Sequence, residues 1–236
     1  MALPKLETPK YKCTVPSTGK EIEYRPYLVK EEKMLMLASE AEDTAQIINT
    51  MKDLIKACTF ESINVEIMTM FDMEFIFTKL RSVSVGENSK VGIDCKKCQK
   101  PNDVNIKLGD VKVNINKDQN MKIDLTDKVG MVMQYPSVNA MIDAQAQSNG
   151  ESDVDDFLRT VIASIESIYS GDEVFAIKDT PKSEVDDFID SLSSNQFVKI
   201  REFMENLPQA KIDYEFKCIH CEAINKNQLA GAGNFS

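Results

Sequence analysis

The sequence predicts an α+β fold, mostly helical, with a β-hairpin at the N-terminus and one small antiparallel sheet. Three observations predict it. Apolar residues recur at helical spacing in three runs before residue 84 and four after residue 136. Between those blocks they alternate with polar residues, the pattern of half-buried strands. Two Cys-x-x-Cys pairs, Cys95 with Cys98 and Cys218 with Cys221, each follow a strand-like run. That spacing lets two thiolates face one tetrahedral ion, and two such pairs supply the four sulfurs of a structural zinc site. A minimal zinc ribbon needs far fewer residues than the stretch 99–217 between the pairs. The sheet is therefore read as carrying a split zinc ribbon, a four-cysteine site whose halves are joined by a long insertion.

In chain order, Tyr11, Cys13 and Val15 alternate with polar residues, as do Ile22 and Tyr24, on either side of a Pro16-to-Gly19 turn. That is a hairpin signature. From Val29 the period changes, and Met34, Leu35, Leu37 and Ala38 define an amphipathic helix. A second helix is expected from about Asp43 through Ile47, Ile48, Met51, Leu54 and Ile55 to Cys58, and a third from about Asn64 to Leu80. Cys13 and Cys58 fall on apolar faces and read as small packing residues.

Around the first pair, Val91 and Ile93, then Val104 to Leu108, Val111 to Ile115, Met121 to Leu125 and Val129 to Met133, read as strands growing out of the knuckle. Helices are then expected from Ser137 to about Gln147, from Val154 through Ile165 and Ile168 to about Tyr169, from Ser183 to Ile189, and from a cap at Ser194 to Met204. Glu173 to Ile177 fits a strand or a loop. A last strand, Ile212 to Phe216, delivers the second knuckle. No internal repeat and no low-complexity segment is visible. This reading gives three regions: 1–84, hairpin plus helices; 85–135 with 211–236, the split zinc-ribbon-like β region; and 136–210, a helical insertion.

The chain has 236 residues, of which 42% are hydrophobic and 28% charged, the composition of an ordinary globular protein. A net charge of −10 argues against nonspecific binding to a nucleic-acid backbone. Lys96, Lys97 and Lys100 make a small basic patch at the first knuckle, read as solvated side chains. Met1 to Lys5 lacks the apolar core of a signal peptide, and no window approaches 18 uninterrupted apolar residues, so neither secretion nor a membrane span is expected. The cysteines are then expected in a reducing compartment, where paired Cys-x-x-Cys points to metal before disulfide.

Four thiolates close the coordination sphere and leave no position for a catalytic water, so the metal is expected to be structural. An iron-thiolate site uses the same ligands and is the main metal alternative; four reduced thiols without metal are the plain one. His220, the only histidine, would compete with Cys221 for one coordination slot and is expected to face solvent or to support the ligands. No free histidine then remains for a hydrolytic triad, and phosphate-binding, dinucleotide and His-Glu-x-x-His motifs are absent. Asp155 with Asp156, and Asp186 with Asp187, are adjacent on helices and point different ways. No enzymatic activity is expected.

Several segments, in order along almost the whole chain, resemble the baseplate hub subunits and hub assembly proteins of T-even-type contractile-tailed bacteriophages. They are Leu3-Pro4, the turn Pro16 to Lys20, Tyr24 to Lys33, Phe71 to Glu74, Leu80 to Ser84, Asn195 to Ile200 and Tyr214 to Cys221. The resemblance implies a non-enzymatic structural or virion assembly protein of the tail hub, with other baseplate hub proteins as partners. It would act in the host bacterial cytoplasm during assembly, and then either stay in the virion's tail baseplate or leave the particle once assembly is complete. It transfers no active site. A zinc-ribbon module binding nucleic acid or the transcription machinery is the alternative, and an iron-thiolate electron carrier a third.

Overall fold

The computed structural model describes residues 6–41, 43–116, 118–146 and 153–231. The N-terminal Leu3-Pro4 segment and the C-terminal residues 232–236 lie outside them. Seven α-helices and eleven strands occur among the described residues, in a mixed fold with small antiparallel sheets. The chain divides into two compact units, one of residues 1–114 with 209–236 and one of residues 115–208. Residues 115–135, which the sequence pattern grouped with the first knuckle, fall in the second unit.

The first unit opens with the expected hairpin, β1 (Tyr11–Thr14) against β2 (Glu21–Tyr24). Helices α1 (Val29–Glu40), α2 (Thr44–Cys58) and α3 (Met70–Ser84) follow. Asp43 caps α2, its carboxylate accepting from the Ala45 and Gln46 N–H groups at 2.9 and 3.3 Å. The third helix starts at Met70 and not at Asn64, because the Thr69 hydroxyl accepts from the Asp72 N–H as an N-cap. The Asp72 carboxylate also takes the Ser17 N–H at 2.9 Å, which ties the hairpin turn to the start of α3.

On α1 the predicted apolar face is only partly the buried one. Ala38 is buried and Leu35 half-buried, but Met34 and Leu37 are exposed, and so are Val29 and Met36. Glu31 lies inside in their place. Its carboxylate takes the Arg25 guanidinium at 3.0 Å and the Leu28 N–H at 2.8 Å, so the buried charge is paired and hydrogen-bonded.

After α3 come β3 (Asn88–Asp94), β4 (Pro101–Lys107) and the short β5 (Lys112–Val113). Strands β3 and β4 form a hairpin. The inward residues of this region, Val104, Ile106, Leu108 and Val111, share a core with Ala210 and Ile212 from the far end of the chain, with Phe75 of α3 packed against them.

The second unit holds β6 (Lys122–Asp124), β7 (Val129–Met133), α4 (Val138–Ala146), α5 (Asp153–Ala163), β8 (Ile165–Ser170), β9 (Glu173–Ala176), α6 (Lys182–Asp190) and α7 (Ser194–Glu205). Its four strands pair in the order β6-β7-β8-β9. The helix expected to run on through Ile168 stops at Ala163, and Ile165 to Ser170 is a strand. A bulge explains the misreading. Met133 pairs with Ile165 and Val132 with Ser167, so one residue of β8 is unmatched. That extra residue spaces the buried Ile165 and Ile168 by three, which imitates a helical stripe. Gly130 of β7 has no room for a side chain, since a Cβ there would overlap the Tyr169 hydroxyl and stand 2.5 Å from the Ile123 carbonyl oxygen. Strand β9 resolves the ambiguous run as a strand, and the cap of α7 is Ser193, its N–H donating to the Gln196 side chain at 2.9 Å. Ile123, Met131, Met133, Val161, Ile165, Ile200 and Phe203 are the centre of the core.

The chain then returns to the first unit with β10 (Ala210–Lys217) and β11 (Ile224–Ala230), in a three-stranded sheet ordered β11-β10-β5. Ala210 pairs directly with Val113, so the chain leaves the first unit from one strand and re-enters it on the neighbouring one.

The buried Arg25–Glu31 pair makes the first unit acid-sensitive. Burial opposes the Glu31 charge, but hydrogen bonds from Arg25, Leu28 and Lys30 outweigh it and lower the pKa below its ordinary 4.5. The folded chain therefore holds this carboxylate ionised where the unfolded chain would protonate it. Its contribution is complete above about pH 4.5 and is lost as the pH falls through the lower folded value. Glu31→Ala should cost roughly 3 kcal/mol in urea unfolding at pH 7, since it strands Arg25, and should flatten the acid limb of a stability-versus-pH curve.

Candidate metal centre

Both Cys-x-x-Cys knuckles sit at hairpin turns, and the two turns are built alike. The first joins β3 to β4, closed by the pair Asp94 and Pro101. The second joins β10 to β11, closed by Lys217 and Ile224. Each leaves a loop of equal length, 95–100 or 218–223. In the first, the Cys95 N–H donates to the Lys100 carbonyl at 2.9 Å and the Gln99 N–H to the Cys95 carbonyl at 2.8 Å. In the second, the Cys218 N–H donates to Ala223 at 2.9 Å and the Glu222 N–H to Cys218 at 3.0 Å. Gln99 and Glu222, at matching positions, both adopt the left-handed conformation, with φ of 56° and 58°.

The two loops bring all four predicted sulfurs together. Cys95, Cys98, Cys218 and Cys221 place their Sγ atoms within 4.8 Å of one another, in an arrangement that could hold one metal ion. Cys95 lies 3.6 Å from Cys221 and Cys98 lies 3.7 Å from Cys218. A tetrahedral ion with metal–sulfur bonds of about 2.3 Å has sulfur–sulfur edges of about 3.8 Å. The spacing fits such an ion and is far too long for a disulfide.

Backbone donors aim at the sulfurs. The Lys97 N–H points at Cys95 Sγ and the His220 N–H at Cys218 Sγ, each at 3.4 Å. The Cys98 N–H, with those of Lys97 and the Asn225 side chain, lowers the Cys95 thiol to about 6. Burial opposes ionisation of Cys218, but the His220 and Cys221 N–H groups outweigh it and its pKa also falls. Cys221 goes the other way. The Ala223 N–H favours its thiolate, yet burial and the sulfurs of Cys98, Cys95 and Cys218 push it up to about 12. One thiolate in the cluster thus raises the cost of the next, and a cation at the centre removes that cost.

Two residues that the sequence reading missed belong to this centre. Asn102 and Asn225 are 3% and 5% exposed. The Asn225 Oδ1 accepts from the Lys96 N–H of the first knuckle at 3.0 Å, and the Asn102 Oδ1 accepts from the Ile219 N–H of the second at 2.9 Å. Each stands seven residues after the first cysteine of its own knuckle. The sequence therefore does contain a short internal repeat, Cys-x-x-Cys-x-x-x-Asn, at 95–102 and at 218–225. The equal offset was the available signal.

His220 is exposed, as one of its two expected settings had it, and its Nε2 lies 3.2 Å from the Pro101 carbonyl oxygen on the opposite hairpin. Cys13 and Cys58 lie apart from the cluster, and burial raises both thiols to about 11. Of the adjacent acidic residues, Asp156 pairs with Arg159 at 2.9 Å. Among the described residues, no helix is long and apolar enough to cross a membrane.

The architecture is that of a paired-knuckle, four-cysteine clasp with a second α/β unit inserted between its halves. A family model described as T4 bacteriophage base plate protein matches residues 8–235, and the chain belongs to that family. Neither the curated proteins nor the solved structures compared with it contain a match. The family agrees with the resemblance in the sequence at the level of a T4-type baseplate protein.

The left-handed residues give a direct test of the knuckle geometry. Gln99→Gly and Glu222→Gly should each stabilise the first unit by roughly 0.5–1 kcal/mol in chemical unfolding, because glycine adopts that conformation without steric cost. Alanine at either position should not.

Proposed function

We propose that the chain is a non-enzymatic structural or assembly protein of the central baseplate hub, tied by a structural zinc ion on Cys95, Cys98, Cys218 and Cys221. The single observation that supports the zinc is the convergence of four sulfurs, all within 4.8 Å of one another, from two congruent hairpin turns. The all-sulfur set suits zinc or iron, and zinc is favoured because it needs no redox partner and serves rigid, closed sites. The baseplate family match supports the place of action, and the hub is the finer assignment that the sequence resemblance favours. With four thiolates bound, no coordination position is left for chemistry, which is why the role is structural.

The partners are other proteins of the baseplate hub, met in the host bacterial cytoplasm during assembly and, in the virion, at the tail. Helix α1 favours this reading. Its Val29, Met36 and Leu37 are 65%, 62% and 66% exposed, a side unlike the one carrying Glu31 and Ala38.

Elemental analysis of the full chain, purified without chelator, should give one zinc per chain. Iron in its place, or no stoichiometric metal, overturns the zinc. Cys218→Ser combined with Cys221→Ser should abolish the metal and cost the first unit roughly 5 kcal/mol or more, since binding energy at such sites is folding energy. Co-expression with the other hub proteins should return a stable complex on affinity purification; a chain that emerges alone from every combination overturns the hub role.

A further inference from the structure

We propose that Asn102 and Asn225 are positioning residues of the metal centre, docking the two knuckles on each other so that the four sulfurs meet in register. This rests on the metal reading above and goes beyond the cysteines themselves.

The contacts are reciprocal. Asn225, on the second hairpin, receives the Lys96 N–H of the first knuckle through Oδ1 and donates its Nδ2 to the Ala223 carbonyl of its own turn at 3.0 Å. Asn102, on the first hairpin, receives the Ile219 N–H of the second knuckle and donates to the Lys100 carbonyl of its own turn at 2.9 Å. Lys100 and Ala223 are the same carbonyls that accept the Cys95 and Cys218 N–H groups. Each amide therefore holds its own loop closed at one end and grips the opposite loop, one residue past a cysteine, at the other.

Only a short side chain carrying both a donor and an acceptor can do this. Aspartate lacks the donor, serine falls short, and glutamine is a carbon too long. Burial makes the arrangement count, because water cannot freely replace either amide. Two weaker contacts run the same way, His220 to Pro101 and the Lys96 ammonium to the Lys226 carbonyl at 3.3 Å.

The pair is not fully symmetric. Asn225 Nδ2 also lies 3.5 Å from Cys95 Sγ, so this amide donates to a metal ligand as well. Loss of the Asn225 amide should therefore alter the electronic character of one thiolate, an effect that a purely structural residue would not have.

The test uses the full chain with zinc, and with cobalt(II) as a spectroscopic substitute. Asn102→Ala and Asn225→Ala should each weaken zinc binding by about 10- to 100-fold in chelator competition, the range for groups that orient metal ligands. Both should keep the absorption of a tetrahedral cobalt–thiolate centre. The sulfur-to-cobalt charge-transfer band should shift in Asn225→Ala and stay put in Asn102→Ala. Because both residues secure one docking event, the double variant should lose less than the product of the single losses.

Single variants binding zinc within twofold of the parent overturn the proposal. So does a double variant whose loss equals that product, which would make each residue a local brace of its own turn. If either alanine variant does not fold, Asn102→Ser and Asn225→Ser, which keep a hydroxyl for their own turn but are too short to grip the opposite loop, must bind zinc more weakly than the parent, and binding within twofold overturns the proposal. A parent chain that takes up neither zinc nor cobalt overturns the metal reading along with this one; normal uptake with unaffected variants overturns this one alone.

Discussion

Four sulfur atoms from two distant parts of one chain must come within reach of one common centre, and the first unit is shaped by that demand. The sulfurs lie within 4.8 Å of one another. To place them, two hairpins end in loops of the same length, the same internal hydrogen bonds and the same left-handed residue before the return strand. Their strands then enter one core, where Val104 and Ile106 of β4 share apolar neighbours with Ala210 and Ile212 of β10. The polar tips and the apolar strands of the hairpins thus bring the same two segments together by independent physical means.

Electrostatics sharpens the demand. Thiols this close cannot all ionise in the absence of a cation, and the opposed directions of Cys95 and Cys221 express that conflict. The N–H groups of the loops offset part of the charge on Cys95 and Cys218. An ion bound between the four sulfurs would supply the rest and fix the angle between the loops as well.

Much of this was legible in the sequence. Cys-x-x-Cys spacing is a local covalent fact, so the four cysteines that come together could be named without knowing how the chain folds. The N-terminal hairpin and most helices were equally plain, since their periodicity is local too. What stayed hidden depended on partners remote in sequence. Ile165 and Ile168 look helical until the bulge opposite Val132 and Met133 is known. Glu31 looks like a surface residue until Arg25 is placed beside it. Strands β6 and β7 look like a continuation of the first knuckle until β8 claims them. Asn102 and Asn225 are polar residues in polar segments, and only the equal offset from each knuckle marks them out.

The pairing of Ala210 with Val113 has an evolutionary consequence. Residues 115–208 leave and rejoin the first unit at adjacent points on one sheet, so a tight turn would suffice to close the chain without them. A segment inserted in this way can lengthen, shorten or be exchanged at little entropic cost to the host. The length and surface of the second unit can therefore change without disturbing the sheet that carries the second knuckle.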